Sequence, residues 1–163
     1  MGVSSVEVLK GTVPAKEPKP GDVRSQPFVF AVSGYKNSGK TTMICRLIPV
    51  LKQRGYRVAV IKHDGHDFVG DVPGTDSFRH RQAGACGCAV FSKKRILITR
   101  EIEEEDELPD EQMLFKAFPG ADIILLEGMK DSSYPKYFCR YPEKELPSAE
   151  ALADRIEEAM KLR

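Results

Sequence analysis

Eight consecutive residues, Gly34-Tyr35-Lys36-Asn37-Ser38-Gly39-Lys40-Thr41, match the spacing G-x-x-x-x-G-K-[ST], a way of holding phosphate. A phosphate needs several N–H donors converging on one point. Glycines at strained positions let the main chain curl around it, and a following helix start adds about half a positive charge. Lys40 would neutralise the β- and γ-phosphates, the Thr41 hydroxyl would hold Mg²⁺, and Thr42 is placed for the α-phosphate. A phosphate-bound Mg²⁺ calls for a second acidic contact at the end of a neighbouring apolar strand. Asp122-Ile123-Ile124-Leu125-Leu126-Glu127-Gly128 supplies one, with Glu127 delivered to the edge where ligands of parallel α/β sheets gather. Glu127 is thus a candidate magnesium contact, direct or through water, and a candidate for orienting an attacking water.

Two further polar segments have residue types suited to chemistry. Lys62-His63-Asp64-Gly65-His66-Asp67 puts two imidazoles and two carboxylates in six residues. With a magnesium nucleotide already implied, a polar loop lining the phosphate site outweighs a Zn²⁺ or Ni²⁺ site. Asp64, nearest the strand end, is the candidate magnesium or water contact. Pro73-Gly74-Thr75-Asp76-Ser77-Phe78-Arg79-His80-Arg81 reads as a turn followed by a short helix, whose Arg79 would offer a cation to the γ-phosphate or a partner's acidic surface. Simple surface charge explains the same residues equally well.

These groups need elements to position them. Phe28–Ser33, Arg57–Lys62, Cys88–Phe91, Arg95–Thr99 and Ile123–Glu127 read as strands, and their continuous apolar character suits a parallel sheet covered on both faces. Ile44, Leu47, Ile48 and Leu51 recur at helical spacing between the first two, with Gly55 as the stop and a kink expected at Pro49. A further helix is expected around Glu111–Phe118, after a run of eight acids between Glu101 and Glu111 that reads as an exposed turn. Ser148 caps a last helix carrying Leu152, Ile156 and Ala159 on one face. Residues 1–27, with four prolines and no apolar periodicity, read as a flexible arm, and 28–163 as one nucleotide-binding domain. The fold class expected is α/β, a three-layer P-loop NTPase fold with a mostly parallel central sheet.

Composition excludes several other functions. Twenty-five Lys and Arg against 24 Asp and Glu leave a net charge of +1, which provides no general field for nucleic acid or an acidic membrane. The longest apolar run, Phe28–Val32, is far short of the ~20 residues that span a bilayer, so a cytoplasmic protein is expected. Four cysteines without a CxxC pair are too sparse for a disulfide scaffold, and Cys86 and Cys88 read as buried thiols rather than zinc ligands.

Taken together, these segments resemble the MobB family of molybdopterin-guanine dinucleotide biosynthesis adaptor proteins. The resemblance lies in Gly34–Thr42, in Arg54–Asp64 followed by His66-Asp67-Phe68, in Asp71-x-Pro73-Gly74-x-Asp76-Ser77-x-Arg79-His80, and in Leu126-Glu127-Gly128-x-Lys130 with Pro135-Lys136. It covers roughly Phe28 to Arg140. Thr75 stands where the family commonly has Lys, and Met129 where it has Phe. The resemblance implies binding of GTP with Mg²⁺, weak GTPase activity, a homodimer, and assistance to the guanylyltransferase MobA in attaching guanine nucleotide to the molybdenum cofactor. By position, Gly34, Tyr35, Lys36, Asn37, Ser38, Gly39, Lys40, Thr41 and Thr42 would hold the nucleotide, with Asp64, Asp76, Arg79, His80, Glu127 and Lys130 lining the active region. No N-K-x-D or T-K-x-D sequence is present, so GTP rests on the resemblance; a small-molecule kinase using ATP is the competing reading.

Overall fold

The computed structural model describes residues 26–64, 68, 70–102 and 109–162. In chain order the elements are β1 (Phe28–Gly34), α1 (Lys40–Gln53), β2 (Val58–Lys62), α2 (Asp76–Gln82), β3 (Gly87–Phe91), β4 (Ile96–Arg100), α3 (Glu111–Lys116), β5 (Ile123–Glu127), β6 (Lys136–Cys139) and α4 (Ala149–Lys161). They fall into two units, one running to His63 and resuming at Glu111, the other comprising Asp64–Asp110. His66, Asp67, most of the 1–27 arm and residues 103–108 of the acidic run lie outside the described residues.

In the first unit, strands β2, β5, β1 and β6 lie side by side in that order, all parallel. Side chains alternate between faces along a strand, and here both faces are covered. Phe28, Phe30, Val32, Ile123 and Leu125 pack with Met43, Leu47 and Leu51 of α1 and with Leu152, Ala153 and Ile156 of α4. Val29, Ala31, Ile124 and Leu126 pack on the other face with Phe115 of α3. This two-sided burial is why β1 and β5 read as unbroken apolar runs. The α/β architecture with a parallel central sheet agrees with the expectation from sequence, and α1 continues across Pro49 as one helix.

The sequence reading missed β6. Lys-Tyr-Phe-Cys is short, begins with a charge and follows a proline, so it lacks the apolar run that marks the other sheet strands. Lys136 is tolerated because its ammonium donates to the Lys130 carbonyl at 2.7 Å and to that of Ser132.

In the second unit, β3 and β4 form an antiparallel two-stranded sheet of their own. Their connection is too short for a parallel crossover, which needs a dozen or more residues; it closes instead with the Ser92 N–H donating to the Arg95 carbonyl at 2.8 Å. The expected burial of Cys86 and Cys88 is corrected accordingly. Cys86 is exposed and Cys88 half-buried, since a two-stranded ribbon has no inner layer, while Cys139 on β6 is the buried thiol. Thr75 caps α2, its hydroxyl accepting from the Phe78 N–H at 3.4 Å.

Candidate functional site

The glycine-rich segment forms a turn between the end of β1 and the start of α1, and its backbone explains its composition. Gly34 has φ +147°, and a Cβ there would stand 2.6 Å from the Cys139 carbonyl oxygen and closer still to Ser38 Oγ. Asn37, at φ 60°, and Gly39, at φ 85°, also lie in the left-handed region, which Asn and Gly tolerate best. Gly39 serves as N-cap of α1 with no side-chain cap, and the first turn carries no acid. The helix's leading N–H groups are therefore left to an external acceptor. Ser38 Oγ is buried without a hydrogen-bond partner, a second donor aimed inside the same turn. This is the donor set of an anion cradle, and a phosphate fits it.

Lys40 closes the mouth of the turn, its ammonium donating to the carbonyls of Gly34 at 3.1 Å and Tyr35 at 2.6 Å. Thr41 donates its hydroxyl to Glu127 Oε1 at 2.6 Å. Glu127 is the last residue of β5, set between Val32 of β1 and Lys62 of β2 in the ladder. Only 6% exposed, it also faces the Lys62 ammonium at 3.6 Å. The strand turns away immediately: Gly128, at φ +95°, passes the His63 carbonyl so closely that a Cβ would lie 3.2 Å from it. Ser33 secures that turn by donating to the Gly128 carbonyl at 2.7 Å. A hydroxyl and a carboxylate oxygen in contact at the end of a phosphate cradle are hard oxygen ligands suited to Mg²⁺.

The structure thus brings together Gly34 to Thr42 with Glu127. Asp64, Asp76, Arg79 and His80 belong to the second unit. Asp64 is exposed there, and Arg79 lies 3.8 Å from Asp76 on its own helix, both largely exposed. Asp71 organises the start of α2, accepting from the Val72 N–H at 3.1 Å and from Ser77 Oγ at 3.0 Å, with Arg81 at 3.9 Å. Lys130, in the first unit, follows the turn after β5. Sequence reasoning missed Lys62 as a partner of Glu127, although each ends a predicted strand. It also missed Ser33, whose polar side chain inside an apolar strand was the available signal.

Burial pushes the Cys139 thiol above its usual range, the Lys40 charge opposing and Glu127 adding to the effect. A separate apolar hollow of about 800 Å³, lined by Phe28, Phe115, Phe118, Tyr134 and Leu162 among others, opens beside the first residue of β1. It is thus at the opposite edge of the sheet from the cradle, away from where ligands of parallel sheets bind.

The family model described as molybdopterin guanine dinucleotide synthesis protein B matches residues 29–154. A molybdopterin-guanine dinucleotide biosynthesis adapter protein of Escherichia coli is 39% identical over 110 residues, 66% of this chain and 62% of that protein. Its Haemophilus influenzae counterpart is 34% identical over 124 residues, 75% of this chain and 68% of that one. Among solved structures, Bacillus subtilis MobB has a TM-score of 0.57 at 29% identity, covering 77% of this chain and 72% of that chain. The match therefore spans a little under two thirds of the Escherichia coli protein. Among the described residues no helix is long and apolar enough to cross a membrane.

Proposed function

The chain belongs to the MobB family of molybdopterin guanine dinucleotide synthesis proteins, and from that premise we propose that it is an adapter whose nucleotide is GTP bound with Mg²⁺. In this reading it hydrolyses GTP slowly and assists the guanylyltransferase MobA in forming the guanine dinucleotide cofactor. The observation that carries the nucleotide part is the contact of Thr41 with Glu127 at 2.6 Å, beside a helix start that has neither cap nor acid.

The residues divide the work by chemistry. Main-chain N–H groups from Asn37 to Thr42 and the Ser38 hydroxyl bind the phosphate oxygens, and Lys40 balances the β/γ charge. Thr41 and Glu127 would hold Mg²⁺, which when bound would supply positive charge to the transferring phosphoryl group. Glu127 would orient the attacking water. An unassisted P-loop GTPase is slow, with turnover well below ~1 s⁻¹, and this suits an adapter whose nucleotide sets its conformation.

The proposed homodimer uses the ribbon. Ala89, Phe91, Ile96 and Ile98 share one face of β3–β4 by their pairing, and Phe91 is 80% exposed. An isolated two-stranded ribbon is marginal in water, and an apolar face of this kind marks an interface. A second copy of the chain, adding its own ribbon, is the proposed cover.

Calorimetric titration of wild type and Lys40→Ala with GTP and with ATP, each with Mg²⁺, followed by product analysis, tests the reading. The expected result is preference for GTP, lost in Lys40→Ala, with slow formation of GDP. Preference for ATP, with phosphoryl transfer to a metabolite far faster than hydrolysis, would replace it with the kinase reading.

A further inference from the structure

Helices α1 and α4 both start at the carboxyl edge of the sheet, one after β1 and the other after the adjacent strand β6, and they lie against each other. Arg54 ties them together, its guanidinium 2.8 Å from Asp154 and 2.9 Å from Glu157. The segment entering α4 is consequently set beside the loop entering α1. Leu146 makes the contact: its Cδ1 would be 2.9 Å from a Cβ placed on Gly39. At the other end of the segment, the Arg140 guanidinium lies 5.9 Å from the centre of the Phe138 ring. Phe138 in turn meets Tyr35 of the phosphate loop edge to face, with centroids 5.5 Å apart.

The groups suited to a terminal phosphate and its metal, Thr41, Glu127 and Lys62, sit on the β5 and β2 side of the loop. A nucleotide laid across the α1 start with its terminal phosphate toward β5 directs its nucleoside toward β6. Resting on the nucleotide reading above, the geometry points to Arg140–Leu146 as the segment that receives the base, with Arg140 on its Phe138–Tyr35 ledge as the principal contact. Arg140 matches the O6 and N7 acceptors of guanine, which a guanidinium reads in pairs, whereas adenine presents an amine in place of O6. Glu143 and Glu145, both exposed on the same segment, offer acceptors for the N1–H and N2–H donors of guanine. The segment thereby supplies the guanine discrimination that no N-K-x-D motif provides.

Titration of the full chain with Mg²⁺ and either GTP or tripolyphosphate separates the two ends of the ligand, because tripolyphosphate has the phosphate chain without a nucleoside. Arg140→Ala is expected to weaken GTP by about tenfold, the scale of one lost base contact, while leaving tripolyphosphate within about twofold. Lys40→Ala weakens both. The pair Glu143→Gln with Glu145→Gln is expected to narrow the preference for GTP over ATP; an unchanged preference overturns the carboxylate assignment. Arg140→Ala binding GTP as wild type does, or losing tripolyphosphate equally while its circular dichroism is unchanged, overturns the inference. Should Arg140→Ala lose its helical signal, Arg140→Gln supplies the same comparison. A wild-type chain that binds tripolyphosphate and GTP equally also overturns it, whereas one that binds neither overturns the nucleotide reading itself.

Discussion

Thr41 and Glu127 stand 86 residues apart in the chain and 2.6 Å apart in space. Neither is positioned by its own neighbours alone. Thr41 is carried by the first turn of α1, and Glu127 by a central strand bonded on both sides, with Val32 and Lys62 as its lateral neighbours. A one-residue slip of β5 would turn Glu127 to the opposite face, so the pairing of β5 with β1 and β2 is what sets the acid beside Thr41. The extra methylene of Glu over Asp extends the carboxylate from the strand end toward the threonine.

Glu127→Gln keeps the shape and removes the charge. It is expected to slow GTP hydrolysis by at least about tenfold, the scale of losing a group that acts on the transition state, and to reduce the dependence of binding on Mg²⁺. Stability should barely change: Lys62 is 54% exposed, and a pair with one solvated partner contributes at most about 1 kcal/mol. Melting curves alongside single-turnover kinetics check both.

Two glycine substitutions should diverge. Gly34→Ala adds a Cβ into the Cys139 carbonyl and Ser38 Oγ at a positive φ, whereas Gly55→Ala, also at positive φ, meets nothing within 4 Å. The first is expected to cost more than about 3 kcal/mol and to abolish nucleotide binding. The second costs only its backbone strain, about 1 kcal/mol. Urea unfolding with and without GTP distinguishes them.

These sites also show what sequence could and could not convey. The glycine-rich turn between β1 and α1 was legible, because its glycines are dictated by local backbone geometry within eight residues. Glu127 was legible because an apolar run announces a buried strand and its end. Lys62 as its neighbour was not, since strand order depends on non-local pairing. β6 was hidden for the same reason, its half-buried aromatics and leading lysine lacking a local pattern. The hairpin strands were found but their company was not, because apolar content alone does not tell a covered strand from one awaiting a cover.

Thiol chemistry should follow burial. Cys45 and Cys86 are exposed and Cys139 is buried, so iodoacetamide is expected to label the first two in the native chain and Cys139 only on unfolding. Burial raises the Cys139 pKa in the fold, so its neutral form favours the folded state. That contribution is complete below the unfolded thiol's pKa near ~8.5 and is lost as pH rises through the higher folded value. Stability should therefore fall as pH rises above the unfolded thiol's value, and fall less in Cys139→Ala, as urea titrations at each pH would record.

Ile98→Glu places a charge on the apolar face of the β3–β4 ribbon. Wild type is expected to sediment as a dimer at micromolar concentration and this variant as a monomer, with the Lys40-dependent binding of GTP retained. A wild-type monomer across that range would remove the ribbon as an interface.

The C-terminal helix α4 carries a consequence for heredity. Leu152, Ala153 and Ile156 are fully buried against Met43, Leu47 and Leu51, so the helix that presents Lys40 and Thr41 is held from behind by a helix encoded downstream of every motif residue. A frameshift after codon 145 would leave every letter of the glycine-rich signature, and Glu127, intact in the translated text. The product would still have lost the apolar backing of its phosphate loop. Such an allele would be counted as functional by its motifs and would be null in the cell.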